Sequence, residues 1–231
     1  MGTESSLPAR DSAWHVASRR GTAGDLHALD LPEGRSIHVM VPTSPALVLG
    51  STQSSTLVNA QTAAAEGVDI CQRRTGGGVV FVHPEHSLWI DVVIPRDDSL
   101  WVDDVARSSL WLGNAFVAAL TACDMTDIGV YTGDMVRGEI GAAVCFASAA
   151  PGEVFFFAAK DHMKVVGISQ RRGRIGARFQ CILYRKWKPQ EWSGHLTDVA
   201  IATATNELAV RSVDVSAEDL VENLRRELDA H

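Results

Sequence analysis

Cysteine is scarce and its spacing is uninformative of metal. Four cysteines occur in 231 residues (Cys71, Cys123, Cys145 and Cys181). None stands in a Cys-x-x-Cys arrangement or beside a paired-histidine framework, which excludes a structural zinc site and predicts a reduced, cytoplasmic protein. No apolar run reaches the ~18 residues of a membrane span, and the N-terminus lacks the basic-then-apolar layout of a signal peptide. Positive charge is not in excess either. The net charge of −7 excludes general nucleic-acid binding, and no internal repeat or low-complexity tract suggests a solenoid or a linker.

What is present suits a soluble globular enzyme, with 46% hydrophobic and 21% charged residues. The length allows one substantial core and shows no boundary that forces two. The expectation is one domain over 1–231 with a loose tail at 1–11 and no separate C-terminal accessory domain.

Ile37–Val41 and Ala46–Leu49 read as strands separated by the turn-forming Pro42-Thr43-Ser44-Pro45. Residues 55–66 read as a helix capped by Gly67. Another helix is predicted to start near Asp103-Asp104, with Val105, Leu112, Phe116 and Leu120 as one apolar stripe. Phe155–Phe157, Val165–Gln170 and Arg178–Tyr184 read as further strands. Ser216 with Asp219 resembles a capping box opening a last helix, whose Leu220, Leu224 and Leu228 face inward. Strands occur singly and in groups, so a mixed α+β fold is expected rather than a regular βαβ array.

The densest chemical signal is Arg73-Arg74-Thr75-Gly76-Gly77-Gly78, set between apparent strands. Three glycines cost conformational entropy and are used where backbone must pass close to something. Without Cβ atoms their N–H groups can approach an anion, while two arginines supply forked, permanently charged donors. Side chains alternate along an extended chain, so at most one of Arg73 and Arg74 points inward. Further on, Lys164-Val165-Val166-Gly167-Ile168-Ser169-Gln170 reads as a strand beginning with a lysine. It opens a basic run from Lys160 to Lys188, with nine basic residues against the single acid Asp161, read either as a solvated face or as a field for an acidic partner.

Three motifs in order, Gly50-Ser51-Thr52-Gln53, the Arg-Arg-x-Gly-Gly-Gly loop and the Lys-x-x-Gly-x-Ser strand, resemble the lipoate side of the biotin/lipoate protein ligase superfamily. The resemblance implies a mixed, mainly antiparallel sheet with packed helices, as in the class II biotin/lipoate ligase catalytic domain. It implies Lys164 as the catalytic cation and Arg73, Arg74, Thr75, Gly76, Gly77, Gly78, Gly167, Ser169 and Gln53 as substrate- or nucleotide-binding residues, with no protein-held metal site. Val79, Phe81, Val166 and Ile168 are candidates to line an acyl tunnel. The implied activity moves lipoate or octanoate, through an acyl-AMP formed from ATP with Mg2+, to a lysine of a lipoyl domain. The acceptor would belong to an oxo-acid dehydrogenase or a glycine-cleavage H-like protein.

The sequence departs from the family at two places. Val82 stands where members carry the histidine of a His-Asp pair, leaving His83 one step late, and Arg178-Phe179-Gln180-Cys181 replaces a His-Gly-Ser/Thr stretch. About 45 residues follow Lys186, too few for a typical accessory domain. An alternative is therefore an octanoyl transferase that takes its acyl group from a carrier-protein thioester on Cys145 or Cys181. A third reading, from another class, is a non-catalytic acyl or acyl-adenylate binding protein.

Overall fold

The computed structural model describes residues 13–30, 34–158 and 162–230; the expected tail lies outside them. Ten strands and six helices are arranged as two sheets with helices packed on them. The strands are β1 (His15–Gly21), β2 (Ser36–Pro42), β3 (Ala46–Leu49), β4 (Asp69–Gln72), β5 (Val80–Val82), β6 (Ser87–Pro95), β7 (Ile128–Val130), β8 (Val154–Phe156), β9 (Met163–Arg172) and β10 (Gly176–Tyr184). The helices are α1 (Ala23–Ala28), α2 (Ala60–Ala65), α3 (Leu110–Thr121), α4 (Glu139–Ala143), α5 (Val199–Glu207) and α6 (Ala217–Asp229).

The larger sheet runs β1-β2-β6-β10-β9-β8-β7 and the smaller β4-β3-β5. Only β1 with β2 and β3 with β4 pair in parallel, so the sheets are mixed and mainly antiparallel, as the sequence predicts. One face of the large sheet buries Ile90, Val92, Phe179 and Leu183 against α3 and α6. Its other face meets the small sheet and α1, with Met40, Trp89, Tyr184 and Leu26 between them.

The predicted capping at Ser216 is present: its hydroxyl accepts the Asp219 amide at 2.9 Å, and Leu220, Leu224 and Leu228 are fully buried. Gly67 carries φ +69°, the left-handed conformation of a helix end. The helix before it is shorter than read, because Asn59 caps a fresh start by accepting from Gln61 and Thr62. The helix expected from Asp103-Asp104 begins instead at Leu110, which leaves Val105 exposed while Leu112, Phe116 and Leu120 are buried. The carboxylates there are otherwise engaged. Asp103 accepts from Trp101 Nε1, Asp104 accepts from the Ala106 amide, and Arg172 donates to the carbonyls of Val102 and Asp103. Among the described residues no helix is long and apolar enough to cross a membrane.

Candidate active site

The glycine loop joins β4 to β5, and it is built around Arg73. This side chain is 4% exposed. Its Nη2 donates to Gly76 O (2.9 Å) and Gly78 O (2.8 Å), and Nη1 to Val48 O (3.3 Å). Its Nε is buried with no hydrogen-bond partner among the described residues. Burial pulls the guanidinium below its usual range, against the opposing pull of Cys145 and Cys71. Arg74, one step on, is exposed. The pleat thus separates the two arginines, one into the wall and one to solvent.

Two glycines are demanded by close approach. A Cβ at Gly50 would lie 2.0 Å from Gly77 O, and one at Gly78 would lie 2.5 Å from the Cys145 amide. Gly77 also needs φ +102°. The loop is therefore nested between the Gly50 turn and the turn that begins at Cys145. Gln53 closes that nest from outside: it accepts the Gly50 amide at 2.9 Å and donates to Ala142 O and Ala143 O at the end of α4. Among the described residues, the amides of Gly76, Gly77 and Gly78 donate to no backbone carbonyl.

Behind the loop lies a narrow cavity of about 30 Å³ between the two sheets. Its apolar wall is Val48, Val80, Val82, Trp89, Ile168 and Ile182. Arg73, Cys145, Ser169, Gln180 and His27 also border it, with their polar atoms turned away from its surface. Of the expected tunnel residues only Ile168 lines it. Val79 and Phe81 point the other way, to Leu47 and Trp192, because successive side chains on β5 alternate and Val80 and Val82 take the inner face. Val166 sits in the core under α3. Gly167 does border the cavity, and a Cβ there would press on the Phe146 ring at 3.2 Å.

Ser169 on β9 and Gln180 on β10 border the cavity and begin a row of polar side chains in register that continues past it to Asp91 on β6 and His38 on β2. Thr75 of the glycine loop reaches down to this row, meeting Ser169 Oγ at 3.2 Å and Gln180 Oε1 at 3.3 Å. Gln180 Nε2 donates to His27 Nδ1 at 2.9 Å, and the His27 ring lies 4.4 Å from Trp89. Burial, then Arg73 and Arg178, lower the His27 pKa to about 3, so the imidazole is neutral at physiological pH. Asp91, fully buried, accepts from Trp89 Nε1 at 2.7 Å and from Arg178 Nε at 2.6 Å. Burial nevertheless raises it to about 6.

Lys164 does not line the cavity. It is 1% exposed, and its Nζ lies 2.8 Å from Glu153 and donates to Cys145 O at 3.0 Å. Burial holds the Glu153 carboxyl above its ordinary range despite this lysine. The cysteines differ sharply. Cys145 is partly exposed, lines the cavity and interacts with the Arg73 guanidinium. Cys181 also borders the cavity but is fully buried, with its thiol pushed well up by burial and by Asp91.

Neither carboxylate near the cavity is free for a cation, since Arg178 holds Asp91 and Lys164 holds Glu153. The donor set does not fit a protein-held Mg2+. Away from the cavity, His83, His86 and Glu191 cluster within 4.8 Å. There, however, His83 Nδ1 already accepts two amides and Glu191 holds Lys188.

Sequence reasoning missed Glu153, His27, Trp89 and the Asp91–Arg178 pair. Glu153 had a signal available: it is the one charged residue between Glu139 and Lys160. The basic run also breaks up. Lys160 lies outside the described residues, Lys164 and Arg178 are paired inside, and Arg171, Arg174, Lys186 and Lys188 remain exposed.

The model of the lipoyl protein ligase A/B catalytic domain matches residues 26–231. Solved structures with the same fold include the bipartite lipoate protein ligase of Thermoplasma acidophilum, described with its E2 lipoyl domain. It is 17% identical with TM-score 0.68, covering 95% of this chain and 84% of that one. A T. acidophilum protein described with bound lipoic acid is 14% identical with TM-score 0.67, covering 95% and 85%. A lipoate-protein ligase A bound with ATP is 15% identical with TM-score 0.62, also covering 95% and 85%. No curated protein matches the chain in sequence.

Proposed function

The chain belongs to the lipoyl protein ligase A/B catalytic-domain family, and within it we propose that it carries a lipoyl or octanoyl group to a lysine of a lipoyl acceptor domain, through a thioester on Cys145. One observation carries this reading. A buried guanidinium with an unpaired Nε stands in the wall of an apolar cavity, against a partly exposed cysteine. The apolar wall suits an acyl chain, which side chains of the narrow cavity must move aside to admit. The Arg73 guanidinium beside Cys145 suits the carbonyl, where charge develops in transfer.

The step runs as follows. The Cys145 thiolate attacks the carbonyl of an incoming acyl thioester, and the negative charge on that oxygen faces the Arg73 Nε–H. The carbon–sulfur bond of the donor breaks, and the released thiolate takes up a proton. The deprotonated ε-amine of the acceptor lysine then attacks the acyl-cysteine, an amide forms, and Cys145 is restored. Cys181 is a poor nucleophile in this scheme because burial keeps it a thiol.

A second reading has its own support. The glycine amides without backbone partners beside the exposed Gly76 suit a phosphate, which favours activation of free lipoate or octanoate by ATP. An accompanying Mg2+ would ride on the nucleotide phosphates. One structural neighbour is described with ATP, another with lipoic acid and a third with an E2 lipoyl domain, so each ingredient has a counterpart on this fold. The acceptor class includes the lipoyl domains of oxo-acid dehydrogenases and the H-like protein of glycine cleavage. Four free cysteines fit a reducing, cytoplasmic compartment.

The test supplies a lipoyl domain and either an octanoyl carrier-protein thioester or octanoate with ATP, and reads products by intact mass. The thioester should acylate the wild-type protein and then the acceptor, and Cys145→Ser should abolish transfer. Transfer from octanoate with ATP that survives Cys145→Ser would establish the adenylate route instead. Bound acyl group without transfer from either donor would leave the binding protein.

A further inference from the structure

We infer that Glu153 is a positioning residue, acting through Lys164 on the turn that aims Cys145 into the cavity. Its consequence for transfer rests on the acyl-cysteine reading above; its effect on the thiol does not.

Glu153 is held on every side. Its Oε2 accepts the Ala150 amide at 2.8 Å, and Oε1 accepts from Lys164 Nζ at 2.8 Å and from the Ile168 amide at 3.4 Å. The turn that presents it is clamped onto the start of α3. Ser109 Oγ donates to Pro151 O at 2.9 Å, and a Cβ on Gly152 would lie 2.3 Å from that hydroxyl. Glu153 is therefore the fixed end of the pair. The Phe146 and Phe155 rings stand 5.4 and 5.8 Å from Nζ and keep water away, so the ammonium has little choice of partner.

Its remaining direction of bonding is Cys145 O, at 3.0 Å. That carbonyl also accepts from Ser148 Oγ at 2.7 Å, and the Cys145 amide donates to Val79 O at 3.0 Å. Both peptide groups flanking the cysteine are thus fixed, one by the strand leaving the glycine loop and one by the buried ion pair. The side chain between them is the one beside Arg73. A neutral buried pair of this kind contributes little net stability compared with apolar residues of the same volume. What it supplies is direction: a charged donor that reaches the nucleophile's own carbonyl.

Removing Lys164 alone would strand a buried carboxylate, so the informative variants are Glu153→Gln and the double Glu153→Leu/Lys164→Met. The first keeps an acceptor without the charge. The second removes both polar ends and keeps the volume. Each is incubated with iodoacetamide, and alkylation of Cys145 is followed by peptide mass with Cys71 as internal reference. Loss of a hydrogen bond to a charged group predicts a fall of about ten-fold or more in Cys145 alkylation relative to Cys71. With acyl thioester and acceptor, kcat should fall by a similar factor while KM for the thioester holds, because the chain pocket is untouched. A double variant with the wild-type melting temperature and Cys145 alkylation unchanged or increased overturns the inference. So does loss of the fold in both variants, since the pair would then be holding the core. If the wild type transfers nothing, the function proposed above fails, and the alkylation result still decides the role of Glu153.

Discussion

Lowering the pH from 7 to 5 should weaken this fold through two histidines, His27 partly buried and His38 fully buried. His27 is pulled to about 3 by burial, then by Arg73 and Arg178. His38, with no exposed surface, is pulled to about 4 by burial, then by Arg19, His15 and Arg178. Both folded values lie below the unfolded value of 6.5, so the stability they contribute is present above pH 6.5 and is lost as pH falls toward the folded values. At pH 5 the unfolded imidazoles are charged and the folded ones are not, which costs about 2 kcal/mol for each histidine relative to pH 7. Asp91 works the other way. Its folded value is raised to about 6, so its penalty is greatest above pH 6 and relaxes by about 1 kcal/mol on going to pH 5. Glu153 is raised as well and adds in the same direction. The histidine contribution is isolated by comparing wild type with His27→Gln/His38→Gln, in which the carboxylate contributions cancel. Urea unfolding at pH 7, 6 and 5 should show wild type losing about 3–4 kcal/mol more than the double variant over that range, close to 2 M in midpoint at a slope of about 2 kcal/mol per M. Parallel pH profiles for the two proteins would mean that these histidines are hydrated or already charged in the folded state, and the reasoning about the polar row beside the cavity would fall with them.

Filling the cavity should change chain-length preference. Val82→Ile narrows the cavity by one methylene, so an octanoyl thioester should lose part of its advantage over a butanoyl one, measured as the ratio of kcat/KM, by about 0.8 kcal/mol per excluded methylene. Reversing charge at Arg171 and Arg174, both exposed, should raise KM for an acidic acceptor domain and flatten its salt dependence between about 20 and 300 mM. Arg172 is unsuited to that test, because it stacks on Trp101 at 4.5 Å and holds two backbone carbonyls.

Elements with a strong local signature were legible in the sequence. The Ser216 cap and the spacing of Leu220, Leu224 and Leu228 carry their reasons within a few residues. The opposite facing of Arg73 and Arg74 follows from the pleat in the same way. Elements set by distant partners were not legible. The start of α3 depends on Arg172, seventy residues away, which holds the carbonyls of Val102 and Asp103 out of the helix. The tunnel residues were misassigned by one position on β5. Nothing in Val79-Val80-Phe81-Val82 distinguishes its two faces, since all four are apolar and both faces are covered. The polar row that begins at Ser169 and Gln180 was invisible because it crosses four strands, and no window of sequence contains it.

At Lys164 the motif and the geometry point to different tasks. Its place in the strand was legible, and the implied task was to meet developing charge on the acyl group. The side chain instead lies behind Cys145 with its charge matched by Glu153, and a cation already neutralised at 2.8 Å adds little field at a cavity it does not border. Arg73 has the opposite balance. Its acceptors are neutral carbonyls, among the described residues no carboxylate pairs with it, and one N–H is left buried without a hydrogen-bond partner. An unmatched buried cation is costly unless something anionic comes to it, so the positive potential of this site resides on the arginine of the glycine loop. On the inference above, the lysine keeps the loop's neighbour in place. That division of labour makes opposite demands on substitution. At position 73 the charge itself is needed, so Arg73→Met should abolish transfer even with the fold intact. At position 164 a neutral residue of equal volume should be tolerated by the fold once Glu153 is neutralised with it.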